Sequence, residues 1–262
     1  SAKEFAELAQ WVNYDGHRSL FESRSQNRKG LLMWMSHSCW PSMVWQTYDY
    51  YFEPTAAYFA IKKASEPLHI QWNPATDEVE VVNYSAGTHK GLTAKVQVLN
   101  MDASVAWEKE ATVDSNEDTT DKCIKLEFPE NLSKVHFIKM TLTEDGKVVS
   151  DNFYHRSLEE NNYQDLCQLA KVALQSATTV DKNADGTWSA VSVIENKTST
   201  PALMIRLNVV DGKDDQQILP VFYSDNYFSL LPGEKKEVRM SWRDEDTRGN
   251  EGKVLITGYN VE

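Results

Sequence analysis

The sequence is poor in the features that most often reveal chemistry. Its three cysteines, Cys39, Cys123 and Cys167, are odd in number and far apart, which excludes a disulfide framework and a C-x-x-C zinc signature. The six histidines form no H-x-x-x-H or H-E-x-x-H arrangement, and neither G-x-S-x-G nor a glycine-rich phosphate loop is present. The residues alone therefore nominate no catalytic constellation, no metal site and no cofactor.

Basic charge and long apolar runs are also scarce. The formal net charge is −12, yet residues 1–64 are nearly neutral, so the acidic excess lies in the remainder of the chain. An acidic body without a basic stripe cannot neutralise phosphates, which argues against nucleic acid and anionic membranes as partners. No apolar run approaches the ~20 residues that span a bilayer. We interpret the charge as a solubilising surface and expect a soluble protein.

The first quarter of the chain has helical periodicity interrupted by one apolar run. Apolar residues at steps of three and four predict a helix with a single buried stripe, formed by Phe5, Leu8, Ala9, Val12 and Gly16. The run "LLMWM", residues 31–35, is typical of a strand buried on both faces. Pro54 stands where a first helical turn accepts it and predicts a helix over 54–64. Residues 1–65 are thus predicted to form a helix, a strand and a helix.

From Glu66 onward the pattern changes to alternation with a period of two, separated by turn residues. This pattern predicts two antiparallel sandwiches, over residues 66–156 and 157–262. Asp145-Gly146 is the strongest hairpin signal. The positions predicted to point inward are Val96, Val98, Ile138, Met140, Val191, Val193, Ile205 and Leu207.

The segment "DKNADG", residues 181–186, opens like a calcium loop. Such a loop needs a bidentate glutamate at its twelfth position, which here is Ser192. We therefore predict a turn between two strands at this point.

The segment from Gly30 to Pro54 is unusually aromatic. It contains seven of the 28 aromatic residues of the chain: Trp34, Trp40, Trp45, Tyr48, Tyr50, Tyr51 and Phe52. Such side chains commonly fill a core. Interleaved with serine, histidine, glutamine and aspartate, they also suit sugar recognition, because flat rings stack on the C–H faces of a pyranose while polar groups bond its hydroxyls. Both interpretations remain open on chemistry alone.

Particular motifs carry a resemblance to a known family. They are Trp34, the triplet Trp40-Pro41-Ser42, the run "YDYY" at 48–51, the helix end from Ala60 to Pro67, and "FYSDNYFSLLPGE" at 222–234. This pattern resembles the end of the catalytic barrel and the last domain of glycoside hydrolase family 2, in the branch of exo-β-glucosaminidases and β-mannosidases.

The resemblance implies a fold and a location for the catalytic residues. It implies a mainly β chain in which two tandem immunoglobulin-like sandwiches follow a helix–strand–helix remnant of a (β/α)8 barrel. Enzymes of this family hydrolyse β-glycosides with retention, using two glutamates as acid/base and nucleophile. Both are expected upstream of Ser1, so we expect a C-terminal fragment that is inactive alone. The resemblance further implies a periplasmic or secreted intact enzyme.

The same resemblance assigns a binding site for the sugar at the non-reducing end of a β-linked carbohydrate. Trp34, at the end of the eighth barrel strand, is expected to form the floor of the sugar subsite, and Ser36, His37 and Trp40 its rim. The alternative is a free-standing carbohydrate-binding or adhesion module of tandem immunoglobulin-like domains, which has no use for a barrel remnant.

Residues 48–52 and the orphaned strand are expected to have structural roles. Tyr48, Tyr50, Tyr51 and Phe52 should pack the last helix against the following sandwich. The strand at 31–35 would expose unpaired edges without its barrel neighbours. We therefore expect residues 1–64 either to fold against the first sandwich, anchored by Tyr50, Tyr51, Phe52 and Trp72, or to self-associate through residues 31–35.

Overall fold

A computed structural model describes residues 1–23 and 30–262 and shows a mainly β chain. In these described residues the helices are α1 (Ala2–Glu22) and α2 (Ala56–Ala64), with 3-10 turns at Gln164–Gln168 and Asp244–Thr247. Neither α1 nor α2 has the length and apolarity needed to cross a bilayer. The chain divides into two compact units. One comprises Ser1–Gly16, Met33–Ala60 and Ala170–Glu262, and the other His17–Leu32 and Ile61–Leu169.

The unit of residues 17–32 and 61–169 contains the first sandwich. Its strands are β1 (Leu68–Asn73), β2 (Glu78–Asn83), β3 (His89–Asn100), β4 (Val105–Ser115), β5 (Thr119–Lys125), β6 (Val135–Glu144) and β7 (Lys147–Ser157). They pair antiparallel into sheets of order β1-β2-β5 and β4-β3-β6-β7. Alternate residues of β3 and β6 point into the core, where Val96, Val98, Ile138 and Met140 are fully buried as predicted.

The predicted hairpin at Asp145-Gly146 is confirmed. These two residues connect β6 and β7, whose last pair is Glu144 with Lys147. Both adopt positive φ, 50° and 76°. Two consecutive left-handed residues are the geometry of a type I′ turn, whose twist matches that of antiparallel strands, and only small polar residues or glycine accept it readily.

The unit of residues 1–16, 33–60 and 170–262 contains the second sandwich. Its strands are β8 (Gln175–Lys182), β9 (Thr187–Glu195), β10 (Ala202–Asp211), β11 (Phe222–Tyr223), β12 (Phe228–Leu230), β13 (Lys235–Arg243) and β14 (Gly252–Thr257). The sheet orders are β12-β10-β14 and β11-β13-β9-β8. Ile205 and Leu207 are buried, together with Val238 and Trp242. The predicted fold class, with two tandem immunoglobulin-like sandwiches, is confirmed.

The prediction for strand β9 was wrong by one residue. Val191 is only half-buried and Val193 is 37% exposed, whereas Ala190, Ser192 and Ile194 face the core. Both alternating sets were compatible with a strand, and the two valines favoured the wrong one. Ser192 tolerates complete burial because its hydroxyl forms a hydrogen bond with Thr178 Oγ1 at 2.8 Å.

The segment 181–186 forms a turn, as predicted. It joins the ends of β8 and β9, and Asp185 Oδ1 accepts hydrogen bonds from the amide (3.0 Å) and hydroxyl (2.6 Å) of Thr187. Gly186 takes a φ of 79°. The carboxylate of Asp185 thus stabilises the turn itself.

Cys39, Cys123 and Cys167 are free thiols, in agreement with the absence of a disulfide pattern. Cys123 donates to the Val79 carbonyl at 3.3 Å, and burial raises the pKa of its thiol to about 12. Cys123 is therefore an unreactive packed thiol at neutral pH.

Helix α1 forms where predicted, but it buries a different face. The stripe that was expected to be buried is largely exposed, as shown by Phe5, Leu8 and Val12. In the unit of residues 1–16, Trp11 is buried instead, with its ring 5.1 Å from that of Tyr259. The apolar periodicity was correctly detected, but nothing in the sequence shows which of two amphipathic faces meets this part of the protein.

The last turns of α1 join the first sandwich through a buried polar network. Glu22 Oε1 lies 3.1 Å from His69 Nε2 and accepts from Tyr154 Oη at 2.9 Å, and Arg18 Nη1 donates to Asn152 Oδ1 at 3.1 Å. Glu66 Oε2 lies 3.3 Å from the other ring nitrogen of His69. A buried histidine between two carboxylates is well satisfied, so this network is a strong junction.

The expected anchors of residues 1–64 were wrong. Tyr50, Tyr51 and Phe52 are exposed. Trp72 is buried inside the first sandwich, where its ring packs against Tyr154 and Phe128. Polar side chains of α1, which the sequence did not single out, make the junction instead.

The strand predicted at 31–35 does not form. Residues 31–35 have no strand pairing, and Leu32 is 99% exposed. A strand needs neighbours whose amides and carbonyls complete its ladder, and no other described segment pairs with this one. Helix α2 begins at Ala56, two residues after the predicted start at Pro54.

Candidate functional site

The aromatic rim, defined as Trp34, Ser36, His37 and Trp40, is a solvent-facing surface. Trp34 is 81% exposed and Trp40 is 67% exposed, and neither ring contacts another aromatic ring among the described residues. Ser36 is exposed and His37 half-buried. The core interpretation therefore fails for Trp34 and Trp40, whose rings face solvent.

The rim loop, residues 36–55, has almost no regular structure but is ordered by hydrogen bonds. The Ser36 carbonyl accepts from the Tyr48 amide at 3.0 Å and from Thr47 Oγ1 at 2.9 Å. Ser38 Oγ donates to Gln46 Oε1 at 2.6 Å, a buried contact. Thr55 Oγ1 donates to the Gln46 carbonyl at 2.6 Å. These bonds close the loop on itself and fix the course of its backbone.

His37 is fixed from two sides. Its ring stacks on that of Phe52 with centroids 4.2 Å apart and planes 14° from parallel. Its Nε2 lies 3.2 Å from the Tyr50 carbonyl, a distance at which a protonated Nε2 donates. In that tautomer Nδ1 is an acceptor that no residue in the described part of the chain occupies, so a ligand hydroxyl can donate to it.

Asp49 organises the tip of the loop. Its Oδ1 accepts from the amides of Tyr51 (2.8 Å) and Glu53 (2.9 Å), the geometry of an Asx turn. Phe52 then takes a φ of 68°, a left-handed conformation that is strained for an aromatic residue. This conformation places the Phe52 ring under His37.

Glu53 attaches the loop to the second sandwich. One carboxylate oxygen pairs with Arg206 of β10, and the other accepts from the side-chain amide of Gln217. Burial opposes the charge on Arg206, but the neighbouring Tyr227 and Glu53 raise its pKa on balance, so the guanidinium stays charged. The pair joins residues more than 150 positions apart in sequence.

An aromatic cluster supports the base of the loop. The ring of Phe59, on α2, lies 6.2 Å from that of Tyr223 and 5.9 Å from that of Tyr227. Burial raises the pKa of Tyr227 to about 12. Tyr48 packs on Tyr58 of α2 with ring centroids 5.4 Å apart, so it contacts the last helix, as predicted; packing of that helix against the first sandwich stays a prediction. Tyr50, Tyr51 and Phe52 are exposed, so that prediction was wrong for them.

The two carboxylates of the rim loop already have structural partners. Asp49 holds the turn, and Glu53 is paired with a guanidinium and an amide. A general acid or nucleophile must instead face the reacting atoms. The loop therefore has the groups of a binding surface and no carboxylate available for hydrolysis.

Sequence reasoning nominated the four rim residues but missed the contacts that anchor the loop beside them. Glu53, Arg206 and Gln217 carried no signal, because each is an ordinary polar residue and their contacts cross from the loop to a distant sandwich. His37, Ser36 and Phe52 are brought together by the loop, whereas Trp34 and Trp40 stand apart from this group. The assignment of the four rim residues to sugar binding remains a prediction.

Comparisons with known protein families match both sandwiches. Residues 152–261 match the exo-beta-D-glucosaminidase Ig-fold domain. Residues 77–157 match the mannosidase Ig/CBM-like domain.

Curated relatives cover nearly the whole chain. An exo-beta-D-glucosaminidase of Streptomyces avermitilis is 31% identical over 98% of this chain and 32% of its own length. Another, from Amycolatopsis orientalis, is 32% identical over 98% of this chain and 28% of its own length. The chain thus spans about a third of the length of these relatives.

Solved structures agree in fold. The exo-chitosanase CsxA of Amycolatopsis orientalis superposes with a TM-score of 0.91 at 30% identity, over 98% of this chain and 34% of that chain. A second structure of that enzyme is a complex with PNP-beta-D-glucosamine, with a TM-score of 0.88 at 29% identity over 96% of this chain and 33% of that chain. A β-D-mannosidase from Dictyoglomus thermophilum shares the fold, with a TM-score of 0.71 at 17% identity over 97% of this chain and 29% of that chain. The chain therefore belongs to the exo-β-glucosaminidase and β-mannosidase branch of glycoside hydrolase family 2.

Proposed function

We propose that this chain supplies the C-terminal immunoglobulin-like domains and part of the sugar-binding wall of a retaining, exo-acting β-glucosaminidase. Two observations carry the proposal. The indoles of Trp34 and Trp40 face solvent. The ring of His37 is stacked on Phe52 in the neighbouring rim loop, which the pair between Glu53 and Arg206 anchors. Because the loop holds His37 in place before a sugar binds, its side chain loses little entropy on binding.

The chemistry is supplied by other parts of the enzyme. Retaining hydrolysis needs two carboxyl groups about 5–5.5 Å apart that face the scissile bond. Asp49 and Glu53 are the carboxylates of the rim loop, and both are used structurally. Trp34 would stack on the sugar at the non-reducing end, while His37 and Ser36 would bond its hydroxyls.

The proposal includes the domain division and the location. Boundaries near residues 65 and 156 are supported by the start of β1 at Leu68 and by the two family matches, which meet at residues 152–157. An enzyme that acts on a β-linked polysaccharide meets it outside the cytoplasm, so we place the intact enzyme in the periplasm or the medium. Fractionation of the native host and blotting for this chain tests the location.

The function is tested by hydrolysis of p-nitrophenyl β-D-glucosaminide. We expect no turnover by the 262-residue chain and turnover by the complete polypeptide encoded by its gene. Turnover by the 262-residue chain that disappears when one of its own carboxylates is replaced would refute the proposal.

The second candidate is a free-standing carbohydrate-binding or adhesion module. The match of residues 77–157 to a domain described as CBM-like favours it. The length of the complete open reading frame separates the two. A frame that encodes only the helices and sandwiches would favour the module, whereas a frame three times as long would favour the enzyme.

A further inference from the structure

The second-sandwich unit contains a cavity of about 220 Å³ beside strand β10. Helix α1 contributes Ala6, Glu7 and Gln10 to its wall, and the sandwich contributes Arg206, Tyr227 and Tyr259. Gln10 also fixes its own position, since its Oε1 accepts from the Ala56 amide at 2.9 Å. The cavity therefore has a built wall, with two phenol rings and several polar side chains facing one space.

The backbone around the cavity is distorted in two places. Met204 lines the cavity and takes a φ of 52°, and Tyr227 takes a φ of 57°. The pairing of β10 with β12 shifts register between Ala202 and Ile205, so Met204 lies in a bulge. Left-handed residues with large side chains cost energy, and such strain and such bulges concentrate at binding sites.

One polar group in the wall is unsatisfied. Arg206 Nε is buried and has no acceptor among the residues that the structure describes. The other side of the guanidinium is paired with Glu53. A buried N–H without an acceptor is costly, so the arginine in this wall is held at an energetic cost.

Size and charge define the class of ligand. The volume is below the ~300–1,000 Å³ of sites for drug-sized molecules, which fits a single small ring. Glu7 lies 3.9 Å from Lys3, and Glu53 neutralises Arg206, so each cation has its own carboxylate. A wall with balanced charge does not favour an ionic ligand. Phenol rings beside hydrogen-bonding groups suit a neutral sugar ring.

We propose that this cavity binds one neutral pyranose ring of a β-linked oligosaccharide, such as glucose or an N-acetylhexosamine. The choice of a sugar rests on the proposed function, whereas the existence of a ligand site rests on the cavity, the bulge and Arg206. The cavity shares Arg206 with the anchor of the rim loop, because the guanidinium that lines it also holds Glu53.

The test is titration of the ¹⁵N-labelled chain with cellobiose and with N,N′-diacetylchitobiose. We expect the amides of Thr257 and Gly258, which line the cavity, to shift on titration. In Ala6→Trp the indole fills the cavity, and we expect binding to weaken at least tenfold. Ala2→Trp is the matched control, since Ala2 lies on the same helix and does not line the cavity; it should bind like the parent chain. Equal thermal midpoints show that both variants fold.

The outcomes separate this proposal from the proposed function. Absence of shifts at Thr257 and Gly258, or equal affinity in Ala6→Trp and the parent chain, overturns the cavity site. If a protonated glucosamine dimer shifts the same amides and binds more tightly than the two neutral disaccharides, the proposal that the ligand is a neutral sugar is overturned. Trp34→Ala should leave the shifts of Thr257 and Gly258 unchanged. Failure of the rim to bind sugar would therefore leave the test of the cavity site intact.

Discussion

Replacement of Glu53 with alanine should detach the rim loop from the second sandwich. Glu53 makes two contacts, to Arg206 and to Gln217, and hydrogen bonds to charged groups contribute ~1.5–3 kcal/mol each. The side chain of Arg206 is 31% exposed, so water recovers part of this loss. We expect the free energy of unfolding of this unit to fall by about 3 kcal/mol, at the low end of the ~3–5 kcal/mol for breaking a fully buried pair.

The assay is urea unfolding combined with limited proteolysis. Glu53→Ala should lower the urea midpoint of one transition and make residues 36–55 susceptible to cleavage at protease concentrations that spare the parent chain. Glu251→Ala, which removes an exposed carboxylate from the same unit, is the control. In a double-mutant cycle with Arg206→Met, the coupling energy should be at least ~1 kcal/mol. A coupling energy near zero, or a loop as resistant as in the parent chain, would refute the anchoring role of this pair.

Two further predictions concern the buried network around His69 and the exposed segment 31–35. Glu22 and Glu66 raise the pKa of His69 although burial alone would lower it, so the network stabilises most fully below the unfolded value of ~6.5 and less as pH rises through the folded pKa. His69→Gln should therefore lower the urea midpoint of unfolding more at pH 6 than at pH 9. Equal decreases at the two pH values would contradict this prediction. The exposed apolar segment 31–35 should drive self-association, visible as a weight-average mass that rises with concentration in light scattering and falls in Leu32→Glu but not in Leu158→Glu. A concentration-independent monomer would exclude it.

The sandwiches were predictable because their signals are local. Alternation locates strands such as β3 and β6, and Asp145-Gly146 has the conformational freedom that a tight hairpin requires. The same rule failed in β9, where serine was buried beside a hydrogen-bond partner and valine was exposed. Alternation identifies two faces, but only the partner strands decide which face is inside.

The failures in residues 1–52 have a common physical cause. The stripe of Phe5, Leu8 and Val12 on α1 and the unpaired run 31–35 are apolar, as predicted. Other described residues leave that stripe exposed, and in the run they leave Leu32, Trp34 and Met35 exposed. Hydrophobicity predicts that a surface will be buried and does not name what buries it. The candidate rim was found through its composition, whereas its anchor, Glu53 with Arg206, depends on a contact that composition does not reveal.

The role of Trp34 in the complete enzyme tests the account most directly. The measurement is kcat/KM for p-nitrophenyl β-D-glucosaminide in the polypeptide encoded by the whole gene, comparing Trp34→Ala with Phe222→Ala, which removes another exposed aromatic ring from the same unit. If Trp34 stacks on the bound sugar, its loss should lower kcat/KM at least ~100-fold, which corresponds to ~2.7 kcal/mol, while Phe222→Ala stays near the parent value. A Trp34→Ala enzyme within threefold of the parent would contradict the central claim.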